Sequence, residues 1–505
     1  MLEIYGNNLN LADLIKVARI YEKVSLKKSI LPLIEKSRKL VEEKTKGITS
    51  IYGLNTGFGE FAQVKISHED ILKLQENLIL SHSCGVGEPL NEEIVRAAML
   101  LRANTLAKGF SGVRIELIDK LIELLNQNVI PYIPEKGSLG ASGDLVPLAH
   151  MSMLLIGKGK GYYNGRLLEG KECLNAAGIE PLELKEKEGL SLINGTPIMT
   201  AIAAINCYDA EILLKAATIA CAMSIEALHG TDRFLYDKIH IARNIKGQMV
   251  CANNIRNLIK KSEIIVSHRD CPKVQDAYSL RCSPQVIGVF HEVLKFCIGI
   301  VVKEMNSACD NPLIFDDKIL SCGNFHGEPI AQAMDFFAIS ISEVGNISER
   351  RIFRYQDSKL SGLPACLIEN SGLNNGFMIT QYTAASLVSE NKVLCHPASV
   401  DSIPSAADQE DHVSMGTIAA VKAIKVLKNV KHIVSIELLN AAQALDFRKP
   451  SLPGKGTKMA VDFIRKELCI PFIQCDMSMA GFIDKTYNNI ENLVNYVEDK
   501  IPLKI

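Results

Sequence analysis

The segment Gly137-Ser-Leu-Gly-Ala-Ser-Gly-Asp-Leu-Val-Pro-Leu-Ala-His150 gathers small residues and one hydroxyl nucleophile ahead of an apolar run. It is not a phosphate loop, because no Gly-Lys-Ser/Thr ends it. Gly140-Ala-Ser-Gly-Asp144 misses the second glycine of the Gly-x-Ser-x-Gly nucleophile elbow by one place. A loop that merely enters a helix is one reading. A serine hydrolase pairing Ser142 with His150 is a second, but no third carboxylate is identifiable to orient the base. The third reading uses the backbone itself. When the Gly143 nitrogen approaches the Ala141 carbonyl carbon a five-membered ring closes, and loss of water from it and from Ser142 leaves an exocyclic methylene. Only residues this small let the chain fold so tightly, and the surrounding fold must hold the strain. The product, a 4-methylidene-imidazol-5-one, is an electrophile that no unmodified side chain supplies.

Six further segments carry residues suited to a small polar site. They are Tyr52-Gly-Leu-Asn-Thr-Gly-Phe-Gly59, Leu192-Ile-Asn-Gly-Thr196, Gln275-Asp-Ala-Tyr-Ser-Leu-Arg281, Asn306-Ser-Ala-Cys-Asp-Asn-Pro312, Gly323-Asn-Phe-His326 and Gln409-Glu-Asp-His-Val-Ser-Met-Gly416. Taken in order with Gly137 to His150, they resemble the aromatic amino acid ammonia-lyases over nearly the whole chain. Ser81-His82 and Glu410 are similar to the members of that family that act on histidine, whose imidazole needs hydrogen-bond partners once desolvated. Asp408, Tyr382 and Cys309 depart from the family pattern.

The resemblance implies elimination of ammonia from L-histidine to give trans-urocanate. The methylidene-imidazolone would form autocatalytically from Ala141, Ser142 and Gly143, with no metal or nucleotide cofactor. It implies Tyr52 as the base that removes the β-proton, with Tyr278 as competitor, and Asn194 hydrogen-bonded near the electrophile. Arg281 is implied as the clamp on the substrate carboxylate, Gln275 and Phe325 as residues around the site, and His82 and Glu410 as substrate contacts. A homotetramer whose sites draw on several subunits is also implied.

These residues need long elements to hold them. Apolar residues recur at helical spacing from Asn10 to Lys46, His68 to Leu80, Glu92 to Leu106 and Arg114 to Asn128. Between them lie Gly- and Pro-rich islands, and Gly161-Tyr-Tyr-Asn-Gly-Arg predicts a hairpin on its Asn-Gly turn. Residues 198–229, 285–307, 328–356, 377–395 and 416–446 predict long helices. A helix of the last length spans about 45 Å and belongs in a bundle. The expected fold is mainly α: a loop-rich, mostly helical N-terminal catalytic region over 1–200, and over 201–505 a central long-helix bundle that takes part in oligomerisation. The resemblance adds an ammonia-lyase/fumarase-like architecture.

The 505 residues carry 56 Lys+Arg against 57 Asp+Glu, a balance that gives no long-range field to hold nucleic acid or an anionic membrane. No uncharged apolar run reaches the roughly 18 residues of a membrane span. The 14 cysteines include no Cys-x-x-Cys pair, and most fall in apolar helical stretches, where cysteine packs as a small hydrophobe. With no secretory signal at Met1-Leu-Glu-Ile, the expected setting is the reducing cytoplasm.

Overall fold

The computed structural model describes residues 1–46, 51–269, 271 and 273–505, apart from the side chain of His68. The chain forms two compact units, Met1–Asn206 with Cys297–Asp335 and Pro397–Val421, and Cys207–Phe296 with Phe336–His396 and Lys422–Ile505. Both are mostly helical.

In the first unit the region from Asn10 to Lys46 is two helices rather than one. Asn10 caps the helix Leu11–Arg19 through its side-chain oxygen, and Tyr21 takes a left-handed φ of +59°. The strand Val24–Leu26 then pairs in parallel with Leu2–Ile4, before the helix Leu31–Thr45 begins. Apolar spacing alone does not show this break, because the strand is too short to display its own period. The helix Glu92–Leu106 is buried from Ile94 onward, Arg96 and Arg102 included. Both arginines donate to backbone carbonyl groups of other segments. Arg96 serves Val17 and Leu125, and Arg102 serves Ser191 and Asn194. The predicted hairpin joins Lys160–Tyr163 to Arg166–Glu169. Its turn residues Asn164 and Gly165 both have positive φ, as the tightest hairpin loops require.

The five predicted long helices are Pro197–Ala227, Ser283–Met305, Glu328–Gln356, Met378–Leu394 and Gly416–Asp446. Along Ser283–Met305 the buried hydrophobic residues are Ile287, Phe290, Leu294, Cys297, Val301 and Met305, a stripe at three- and four-residue steps. By length and composition alone this helix could cross a membrane, a measure that core helices also meet, and Glu292 and Lys295 interrupt it. In the second unit Arg351 and Glu437 are fully buried and bonded at 2.5 and 2.8 Å. Ser224 and Ser348 donate to the Glu437 carboxylate at 2.6 Å each, and Ser283 accepts from Arg351 at 3.1 Å. Four of the long helices thus contribute to one buried polar cluster. None of the fourteen cysteines is in a disulfide. Six are buried, and Cys84, Cys469 and Cys475 are exposed, so packing accounts for fewer of them than expected.

Candidate functional site

The Ala-Ser-Gly segment lies in a backbone that ordinary residues avoid. Ser142 has φ +49°, between Gly140 at +87° and Gly143 at +79°. A Cβ on Gly143 would overlap the Gly195 carbonyl, and one on Gly195 would overlap the Cys309 carbonyl, so glycine is required at both places. Three stretches of backbone therefore stack directly on one another. Hydrogen bonds fasten the stack: Asp144 N–H donates to Gly195 O at 2.7 Å, Gly195 N–H to Ser142 O at 3.1 Å and Met415 N–H to Leu139 O at 3.0 Å.

Asp144, fully buried, ties this loop to two helix starts. One of its oxygens accepts from Ile198 and Met199 N–H at the beginning of Pro197–Ala227, and the other from the Thr417 hydroxyl at 2.7 Å. Burial pushes its carboxyl up to about 6, against the pull of those hydrogen bonds and Arg102. Nothing in the sequence pattern singles Asp144 out beyond its place after Gly143. Asn194 lies just behind the loop, with Nδ2 donating to Asn311 O at 2.9 Å. Its Oδ1 is buried with no partner among the described residues.

A cavity of about 600 Å³ opens in front of Ser142. Tyr52, Ser81, His82 and Glu410 line it together with Ser142, and Phe58, Phe61, Leu74, Leu78 and Leu190 give it apolar walls. Ser142 Oγ donates to one Glu410 oxygen at 3.4 Å and Ser405 to the other at 2.8 Å. Ser405, outside every motif, is recognisable only from the fold. His82 donates its Nδ1 proton to Leu78 O at 2.8 Å, which leaves Nε2 as an acceptor. Burial lowers the His82 pKa, so the ring is neutral near pH 7. The Tyr52 phenol is raised by burial and by Glu410, opposed by a hydrogen bond with Gly59. His150 does not serve Ser142: its Nε2 accepts the Gly85 N–H at 3.0 Å.

Four residues from the sequence analysis stand elsewhere. Phe325 is half-buried before the helix Glu328–Gln356 and is not part of the cavity wall. Gln275, Tyr278 and Arg281 belong to the second unit, where Tyr278 is 71% exposed and the Arg281 guanidinium lies 4.6 Å from its ring centroid. The described cavity wall carries Glu60 and Glu410 but no lysine or arginine. No cluster of metal-ligating side chains occurs among the described residues.

Residues 9–466 match the family described as aromatic amino acid lyase. The chain belongs to the aromatic amino acid lyase family. It is 53% identical to histidine ammonia-lyase of Caldanaerobacter subterraneus over 467 residues, 92% of each chain. Crystallographic histidine ammonia-lyase from Trypanosoma cruzi superposes with a TM-score of 0.91 at 40% identity, covering 99% of this chain and 96% of that one. A tyrosine aminomutase from Streptomyces globisporus superposes with a TM-score of 0.93 at 36% identity over the whole of both chains. Proteins named for different chemistry thus share the fold, and the fold alone does not select between them.

Proposed function

We propose that this chain is a histidine ammonia-lyase that converts L-histidine to trans-urocanate and ammonia, using a methylidene-imidazolone formed from Ala141, Ser142 and Gly143. One observation carries the reading: a neutral histidine and a carboxylate, His82 and Glu410, face the same cavity as Ser142. Both are acceptors, and a histidine substrate brings ring N–H and ammonium donors to them. A phenylalanine ring would leave a desolvated acceptor unpaired, at a cost of about 1–3 kcal/mol.

The residues present fit the prosthetic group. The left-handed Ser142, the glycine-only approach of Gly143 to Gly195 and the unpartnered Asn194 Oδ1 all surround the atoms that would cyclise. When formed, the group supplies an electrophilic carbon for the substrate nitrogen, making it a better leaving group. The Gly195 N–H, which donates to Ser142 O at 3.1 Å, would hold the carbonyl that this oxygen becomes, with Asn194 beside it, while Glu410 and His82 would orient the imidazole. Tyr52 takes the β-proton, with Tyr278 as the competing base. A cation beside the Tyr52 phenol is what would bring its raised pKa down.

Among the described residues no lysine or arginine lines this cavity to meet a substrate carboxylate. Arg281, with the bidentate fork that a carboxylate favours, reaches it from a neighbouring copy in a homotetramer, together with Tyr278 and Gln275. Co-expressing inactive Ser142→Ala and Arg281→Met chains checks this, because mixed assemblies regain some intact sites and therefore activity. For the reaction itself, purified protein is incubated separately with histidine, tyrosine and phenylalanine and the ultraviolet spectrum is followed. Urocanate from histidine is expected; coumarate or cinnamate in its place refutes the substrate assignment. Intact mass lower than the sequence mass by two waters is expected, and an unmodified mass excludes the electrophile.

A further inference from the structure

Beneath the Ala-Ser-Gly loop lies a buried ion pair for which the reaction has no direct use. Lys187 and Asp310 are both fully buried, and Lys187 Nζ donates to Asp310 Oδ2 at 3.0 Å and to Ser191 Oγ at 2.8 Å. Ser191 donates in turn to the same carboxylate oxygen at 3.1 Å. Lys187 has a left-handed φ of +67° at the start of the short helix Glu188–Ile193, which leads directly into Asn194. The other end of that helix is held by Arg102, bonded to Ser191 O at 3.0 Å and Asn194 O at 2.7 Å.

Asp310 belongs to the stretch that backs Gly195. Its Oδ1 accepts the Asn311 N–H at 2.7 Å, and Asn311 O accepts from Asn194 Nδ2 at 2.9 Å. Next to it, the Cys309 carbonyl presses on Gly195, and the Gly195 carbonyl presses on Gly143. The ion pair thus joins the two segments that together hold Gly195 against the loop. Stripping water from a lysine and an aspartate costs several kcal/mol per ion, and the attraction between them repays little beyond that. Burial lowers the Lys187 pKa despite the neighbouring Asp310. Its worth therefore lies in the position it enforces.

We propose that Lys187 and Asp310, bridged by Ser191, are positioning residues for maturation of the site: they brace the Cys309–Gly195–Gly143 backbone stack so that the Gly143 nitrogen is driven onto the Ala141 carbonyl carbon. In that step a bond forms between Gly143 N and Ala141 C. The Ala141 oxygen leaves as water with the Gly143 and Ser142 amide protons, giving a carbon–nitrogen double bond to Ser142 N. The Ser142 hydroxyl leaves as a second water with the Ser142 Cα proton, giving the methylene. No oxidant or other reactant enters. The inference rests on the electrophile proposed above.

Timed cell-free synthesis followed by intact-mass measurement tests it. Lys187→Met combined with Asp310→Asn removes both charges and so leaves no lone buried ion. This chain is expected to keep the circular dichroism of the unaltered protein while losing its two waters about tenfold more slowly, the effect of ~1.4 kcal/mol on a barrier. A folded double variant that matures at the original rate overturns the brace. Should the double variant fail to fold, Ser191→Ala, which deletes only the bridging hydroxyl, decides instead: slower water loss supports the brace and an unchanged rate overturns it. An unaltered protein that never loses two waters refutes the electrophile rather than the brace, which separates the two failures.

Discussion

The two units each bury a basic–acidic pair, and the settings of those pairs differ. Arg351 and Glu437 lie among long regular helices whose backbones satisfy their own hydrogen bonds, so side chains alone make the connection, with Ser224, Ser283 and Ser348 as intermediaries. Lys187 and Asp310 lie among short elements and positive-φ residues, where backbone groups of one segment are met by another, as Asn311 O is by Asn194 and Ser142 O by Gly195. The first pair fixes which faces of four helices meet. The second fixes the position of a backbone. Regular structure permits a polar cluster to be structural only, whereas irregular structure converts the same chemistry into placement of a reactive loop.

The strongest way to sharpen the contrast is Ser142→Ala, expected to lower kcat by about a thousandfold or more, ~4 kcal/mol on the barrier, with an unchanged melting temperature. A comparable loss of stability would show that the loop is a folding element rather than a chemical one. In the second unit, Glu437→Leu strands a buried guanidinium and is expected to cost about 3–5 kcal/mol in urea unfolding, while the double variant Arg351→Met/Glu437→Leu recovers most of it. Equal losses in the single and double variants would break the view of that pair as a mutual requirement.

Glu410→Gln comes next, with kcat/KM for histidine expected to fall about 10- to 100-fold as a charged acceptor becomes a neutral amide. The fall should be smaller for any residual turnover of phenylalanine, measured in parallel. The smallest effect concerns Glu226, buried in the second unit, with one oxygen accepting the Gly454 N–H at 2.7 Å. Burial raises its carboxyl from 4.5 to about 7. Folding therefore favours the protonated acid: its contribution is fully present below 4.5, declines as pH rises and is lost above about 7. In Glu226→Gln, thermal unfolding followed across that window should lose this part of its pH dependence, with histidine turnover at fixed pH unchanged.

Much of the helical framework was legible in the residues. Gly416–Asp446 and Glu328–Gln356 begin and end where their apolar spacing does. The helical expectation for Asn10 to Lys46 hid a break at Tyr21, because a three-residue strand stabilised by a distant partner carries no period of its own. The glycines at 140, 143 and 195 were visible as loop residues, but the overlaps that demand glycine involve Ser414, Gly195 and Cys309. Ser405 and Asp144 gave no distinct signal, since a serine or aspartate in a loop is ordinary until its partner is known.

The sequence alone determined what depends on near neighbours: the helices, written in a period of 3.6 residues, the Asn164-Gly165 hairpin and an Ala-Ser-Gly segment small enough to cyclise. Tertiary structure decided which groups meet. It brings Glu410 to Ser142 and His82 to the same cavity, joins Lys187 to Asp310, and leaves Tyr278 and Arg281 in another unit. The reason is one of range. A helix is specified by residues three and four apart, whereas a desolvated charge or an overlapping carbonyl depends on atoms that chain folding alone brings within a few ångströms.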